Sequence, residues 1–325
     1  MLPVLGYIDR QYFSSPADTG HGVPCLGVNW AALSREAAVI ATTFDRLRWE
    51  FSSGRSGNAR TMTDFVSAEW VSNRGADLRV VDVRDAWEYD GLGHLPGAVN
   101  VPFDSFRADE HGAESDAGEG MLPDKDEWTQ LLSAAGITAE SEIVAYDDHH
   151  GVFAARFLVT AELFGHDPDR LHLLDGDFSS WQLERETSSE TPAVEPTDYE
   201  VARPDATPLV GPDAVADAAD DPDAVLVDTR EDEEYDAGHI PGAVLLDWRD
   251  LVDDETRGLL PRDEALSVLE RAGIVPEKRI VLYCNTARRI SHTYVVLRHL
   301  GFEQVDFYEG SLTEWEAQGR PLETN

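Results

Sequence analysis

The chain has 325 residues, 42% of them hydrophobic, so it carries enough apolar material for more than one packed domain and cannot be wholly disordered. Its 63 acidic residues against 26 basic ones give a formal net charge of −37, which excludes nucleic-acid backbone and acidic lipid as partners, because both demand net positive surface. No run approaches the ~18 apolar residues of a membrane-spanning helix, and two cysteines, Cys25 and Cys284, are too few for a disulfide framework, so a soluble cytoplasmic protein is expected.

Only Lys125 and Lys278 are lysines; every other base is an arginine. An acidic, lysine-poor surface suits a cytoplasm of molar salt, where the Debye length falls to about 3 Å and carboxylate self-repulsion is screened. A salt-loving source is expected on that ground.

Residues 1–61 stand apart, with five acidic and six basic residues; the acid therefore belongs to the rest of the chain. The opening MLPVLGYIDRQYF lacks the basic start and apolar run of a signal peptide. Met62 immediately precedes the first repeat, so 1–61 is expected to be a mis-assigned start. The alternative is a real extension with an amphipathic helix around NWAALSREAAVIATTF.

Beyond the head the sequence repeats itself. LRVVDVRDAWEYDGLGHLPGAVNVPF (78–103) returns as AVLVDTREDEEYDAGHIPGAVLLDW (224–248). AAGI (134–137) returns as RAGI (271–274), IVAY (143–146) as IVLY (280–283), and DGDFSSW (175–181) as EGSLTEW (309–315). A conserved order of landmarks is the mark of tandem duplication. The stretch 187–208 between the copies is rich in Pro, Ser, Thr and acid, and 189–204 is expected to be a linker.

In the second copy AVLVDT (224–229) and IVLYC (280–284) read as short buried strands. PRDEALSVLERAG (261–273) reads as an amphipathic helix with Ala265, Leu266, Leu269 and Ala272 on one face and Gly273 just past its end. ISHTYVVLRHLG (290–301) predicts a second helix stopped by Gly301, and QVDFYEG (304–310) a further strand. The alternation predicts an α/β fold of two tandem domains, 62–188 and 205–325, each a mostly parallel sheet with helices on both faces.

Cys284 ends an apolar strand and is followed by NTARR and a helical pattern. At such a strand–loop–helix corner a thiolate faces the helix amino terminus and the loop N–H groups. Arg288 and Arg289 add two positive charges beside it, so in this acidic chain the corner reads as an anion site. A buried inert cysteine with two surface arginines is the plainer alternative.

Both repeats resemble rhodanese homology domains, and 62–325 as a whole resembles a tandem-domain rhodanese. The resemblance rests on D-x-R-x-x-x-E-Y with G-H-[IL]-P-G-A, present as Asp82, Arg84, Glu88 and Tyr89 with GHLPGA (93–98), and again as Asp228, Arg230, Glu234 and Tyr235 with GHIPGA (238–243). The family's six-residue active loop begins with its catalytic cysteine, here CNTARR (284–289). Related phosphatases and arsenate reductases carry a loop one residue longer, with arginine six places after cysteine; here that place is Ile290 and Arg289 falls at five.

The resemblance implies a thiosulfate sulfurtransferase. Thiolate Cys284 takes the outer sulfur of thiosulfate, releases sulfite, and hands the sulfur on from an enzyme persulfide to cyanide or a thiol. The loop residues Asn285, Thr286 and Ala287 cradle the anion through backbone N–H groups, and Arg289 with Arg288 holds the sulfonate. Asp228 and Arg230 are expected to support the site, with Arg230 pairing to Glu234 or a nearby carbonyl. His94 and His239 are expected to shape turns, and Trp181 and Trp315 to sit in the core. No cofactor and no metal are required, and nucleic acid and membrane are not expected as partners.

The first repeat carries Asp147 where the second carries Cys284, so it is expected to be a non-catalytic partner packed over the active loop, with Phe153 as an apolar wall. His149 and His150 lack the spacing of a metal site. Glu234 stands about where animal relatives carry a second substrate-binding arginine, and a glutamate there repels thiosulfate unless it pairs with Arg230; the NTARR loop in turn differs from the C-G-S-G type of mercaptopyruvate-specific relatives. Thiosulfate is therefore preferred as donor. A 3-mercaptopyruvate sulfurtransferase, or a persulfide relay module without turnover, is the alternative.

Overall fold

The computed structural model describes residues 64–107, 122–202 and 207–325. The expectations about residues 1–61 fall outside the described residues.

The first repeat runs β1 (Asp64–Val66), α1 (Ala68–Arg74), β2 (Arg79–Asp82), α2 (Ala86–Leu92), β3 (Val99–Asn100), α3 (Lys125–Ala134), β4 (Ile143–Tyr146), α4 (Val152–Leu163), β5 (Leu171–Leu174) and α5 (Phe178–Glu184). The second runs α6 (Pro212–Ala219), β6 (Ala224–Asp228), α7 (Asp232–Ala237), β7 (Val244–Leu245), α8 (Arg262–Arg271), β8 (Arg279–Tyr283), α9 (Arg288–His299), β9 (Val305–Phe307) and α10 (Ser311–Ala317). The strand orders are β1-β5-β4-β2-β3 and β7-β6-β8-β9. All pairings between these strands are parallel. Leu209 bridges Phe307 in parallel, a one-residue remnant of the edge that β1 forms on β5.

Alternation within the strands assigns side chains to two cores, one on each face of a sheet. In the first sheet Val81, Ile143, Ala145 and Leu171 join α3 and α4 residues on one side. Val80, Val144 and Leu174 join Tyr89, Phe178 and Trp181 on the other. In the second sheet Val225, Val227, Ile280 and Leu282 face α8 and α9, while Leu226 and Val281 face Val215, Leu312 and Trp315. The expected two-sided α/β architecture is thus present in both repeats.

The first of these cores is shared by the two repeats: residues of α4 and α9 belong to one continuous cluster. Polar contacts accompany it. Arg156 of α4, 1% exposed, pairs with Glu309 at 2.6 and 2.9 Å, and the Tyr294 hydroxyl donates to Glu162 at 3.0 Å. The segment expected to be a linker is also packed. Thr197 N–H donates to the Ser133 carbonyl at 3.0 Å, and Tyr199, buried, donates its N–H to Ser133 Oγ at 3.0 Å.

Helix ends follow local chemistry. Asp85 with Glu88, and Glu231 with Glu234, form capping boxes at α2 and α7. Gly273 and Gly301 adopt φ +75° and +95° after α8 and α9, which is the left-handed stop that glycine tolerates. Helix α9 starts at Arg288, two residues earlier than the apolar spacing predicts, so both arginines stand in its first turn and not in the preceding loop.

Candidate active site

Each repeat braces its second strand in the same way. Arg84 forks onto Asp82 at 2.6 Å and donates to the Gly93 carbonyl at 2.7 Å; Arg230 forks onto Asp228 at 2.7 Å and donates to the Gly238 carbonyl at 2.7 Å. Of the two partners expected for Arg230, the carbonyl is the one it bonds; Glu234 is bonded to Asn285 and Arg289. Tyr89 and Tyr235 donate to the Ala98 and Ala243 carbonyls at 2.7 Å. His94 and His239 stack on those tyrosines at centroid distances of 3.9 and 3.8 Å. Trp181 and Trp315 are buried, with indole N–H groups on the Glu186 and Pro321 carbonyls. Asp228 and Arg230 are both buried, and their bonds to each other and to Gly238 tie the motif together.

Cys284 follows β8 and is 1% exposed. Its backbone is fixed from both sides by α10. Ser311 Oγ accepts the Cys284 N–H at 3.2 Å, and Leu312 N–H donates to the Cys284 carbonyl at 2.9 Å. Ser311 has φ +47°, a strained setting for a residue with a Cβ. This residue was missed at the level of sequence, where the only cue was that the repeat has Asp177 in its place.

The loop then turns through Ala287 at φ +62°, fully buried, whose carbonyl accepts from Ser291 Oγ at 2.8 Å. A left-handed residue immediately before α9 directs the first-turn N–H groups back toward the corner. Thr286 is half-buried. Asn285 is also half-buried, but its side chain is turned away from the corner and donates to Glu234 Oε1 at 2.8 Å. Arg289 donates to the other oxygen of the same carboxylate. Burial pushes the Glu234 carboxyl up; the Glu231 N–H, Arg289 and Asn285 outweigh it and hold it below the usual range.

In the first repeat a carboxyl side chain fills this corner. Asp147, fully buried, accepts four backbone N–H groups: His149 at 2.7 Å, Gly151 at 2.8 Å, Phe153 at 2.8 Å and Ala154 at 3.0 Å. Burial raises its carboxyl above the usual range, and those four donors offset the rise only in part. A carboxyl at the end of the strand, ringed by loop and helix N–H groups, thus fills the position that Cys284 holds in the second repeat.

A cleft of about 260 Å³ opens between the repeats. His149, Val152 and Phe153 wall it from the first repeat, and Trp248, Arg288 and Arg289 from the second. Phe153 is the apolar wall expected from the sequence, and the Arg288 guanidinium lies 4.9 Å from its ring centroid. Burial and the neighbouring Arg289 charge push the Arg288 guanidinium down, while the Cys284 side chain pulls it up. His292, fully buried on α9 and 5.2 Å from Trp248, is pushed down to about 3 by burial first and His150 second, so it is neutral in the folded chain. No group of three or more His, Cys, Asp or Glu residues able to hold a metal occurs among the described residues, and no described helix is long and apolar enough to cross a membrane.

Two parallel α/β repeats, one bearing a cysteine and the other a carboxylate at the matched corner, define a duplicated rhodanese fold. The family profile of the rhodanese-like domain matches residues 67–184 and again 211–318, and the chain belongs to that family as a tandem-domain member. The thiosulfate sulfurtransferase of Azotobacter vinelandii is 32% identical over 248 residues, covering 74% of this chain and 88% of that protein. The thiosulfate sulfurtransferase of Corynebacterium glutamicum is 32% identical over 287 residues, covering 80% and 90%. Among solved structures, the 3-mercaptopyruvate sulfotransferase of Escherichia coli superposes with a TM-score of 0.65 at 24% identity, covering 77% of this chain and 99% of that one. At that identity the likeness concerns the fold.

Proposed function

We propose that the protein is a thiosulfate sulfurtransferase in which Cys284 carries the sulfur. The thiolate attacks the outer sulfur of thiosulfate, the S–S bond of the donor breaks, and sulfite leaves with the bonding pair. The resulting persulfide anion then gives its terminal sulfur to cyanide or a thiolate, which regenerates the Cys284 thiolate. The charge on the terminal sulfur is held by N–H groups of the loop and first helical turn, residues 285–289.

The observation that carries this reading is Asp147. The equivalent corner of the first repeat already holds an anion on four backbone N–H groups, and its carboxylate cannot serve as a sulfur nucleophile. The second repeat keeps the corner, leaves it to a cysteine, and sets two arginines beside it. Domain limits of 62–188 and 205–325, with 189–204 between them, accompany the proposal, as does a saline cytoplasmic setting.

The test is a comparison of donors. Thiosulfate and 3-mercaptopyruvate are each supplied with cyanide, and thiocyanate is measured in high salt. Faster turnover of thiosulfate is expected, with none in Cys284→Ser. Preference for mercaptopyruvate would reassign the donor, and absence of thiocyanate from both would leave a relay without turnover.

A further inference from the structure

The arginines around the cleft are not equivalent, and their partners separate them. Arg289 is tied to Glu234, which Asn285 also holds. Arg249 pairs with Glu231 at 3.0 Å. Arg257 pairs with Asp177 at 2.7 Å and lies 3.6 Å from Asp148. Arg107, whose charge is felt by Arg288, pairs with Asp104 at 3.0 Å. Arg288 differs from all of these: Glu234 acts on it only from beyond contact, no described carboxylate comes within ion-pair distance of it, and its buried Nε has no hydrogen-bond partner. The ring of Phe153 lies 4.9 Å from its guanidinium carbon, so one repeat supplies the cation and the other its apolar support.

An incoming oxyanion gains most from a charge that is partly desolvated and not already neutralised. A guanidinium saturated by a carboxylate offers little, because the anion must displace or repel that carboxylate. Glu234 bonds both ends of the loop, through Asn285 next to Cys284 and through Arg289 in the first turn of α9. It therefore fixes the loop and neutralises Arg289 at once.

We propose that Arg288, and not Arg289, is the oxyanion seat of the cleft, and that Glu234 is the positioning residue that divides the two roles. The seat takes the sulfonate end of a small sulfur-oxygen anion, with Cys284 left to meet the other end. The sulfur-transfer reading is presupposed for the second clause only; the seat itself is a binding site.

Binding is therefore measured without turnover, by calorimetric titration of thiosulfate into full-length Cys284→Ser protein. Adding Arg288→Gln is expected to weaken binding by about tenfold or more, Arg288→Lys by less, and Arg289→Gln by less than about threefold. Glu234→Gln on the same background is expected to tighten binding and to make it sensitive to Arg289→Gln, a gain that a purely structural glutamate would not give. Unfolding midpoints of all variants check that each is folded. Dependence on Arg289 and not Arg288, equal dependence on both, unchanged binding in Glu234→Gln, or no binding to Cys284→Ser would each overturn the proposal. If binding follows Arg288 while wild-type protein takes no sulfur from thiosulfate, the transfer reading fails and the seat stands.

Discussion

Asp147 and Cys284 occupy the same corner of two copies of one unit, and the physical demands on that corner are the same in both. Four backbone N–H groups converge on Asp147 within 3.0 Å, and a buried donor left without an acceptor costs about 1–3 kcal/mol. Asp147→Asn keeps one oxygen and turns an amide N–H₂ against donors. The variant is expected to lose about 2 kcal/mol of unfolding free energy or more, read from urea transitions in high salt. A midpoint equal to that of wild type would mean that the carboxylate is not what holds the first loop.

Residue spacing revealed some of the site and concealed the rest. D-x-R and G-H-[IL]-P-G-A were legible because each motif bonds within itself: Arg230 reaches Asp228 two residues away and the Gly238 carbonyl eight residues on. The partnership of Glu234 with Arg289 spans 55 residues, and only the docking of α7 against the start of α9 creates it. No periodicity or local pattern carries such a contact. Ser311 was hidden for the same reason, since its bond to the Cys284 N–H joins positions 27 apart.

At the scale of elements, α4 and α9 join the repeats. Their apolar residues belong to one core, and the apolar spacing of ISHTYVVLRHLG announced α9 clearly. Its start was read two residues late because adjacent arginines look like loop, whereas at a first helical turn they flank the N–H groups of the corner. The packing of the segment between the repeats was not legible either. A segment without periodicity can still pack, as Tyr199 does against α3, because hydrogen bonds to a neighbouring helix need no repeat in the sequence.

Where α4 meets the second repeat, Arg156 is a buried charge, 1% exposed and paired with Glu309 between β9 and α10. Removing one partner of a buried pair leaves the other desolvated and uncompensated, at a cost of about 3–5 kcal/mol. Arg156→Ala is expected to destabilise the whole chain by about that amount, seen as a lower urea midpoint. Arg156→Ala with Glu309→Gln is expected to recover part of the loss, because the stranded carboxylate is then gone. A single variant of unchanged midpoint would contradict a shared core held by this pair.

Over the whole molecule, 63 acidic residues against 26 basic ones leave a net charge of −37. Such a surface repels itself, and the repulsion weakens as the Debye length falls from about 10 Å at 0.1 M salt to about 3 Å at 1 M. The unfolding temperature is therefore expected to rise steadily with potassium chloride up to molar concentrations. A midpoint independent of salt would remove the case for a saline setting and leave the proposed chemistry at Cys284 untouched.

Whether Cys284 carries sulfur is tested most directly by intact mass. Protein treated with thiosulfate in high salt and freed of small molecules is expected to gain the mass of one sulfur atom, to lose it on addition of cyanide, and to gain nothing when Cys284 is replaced by serine. A wild-type chain that gains no sulfur, or a Cys284→Ser chain that gains it equally, would contradict a Cys284 persulfide.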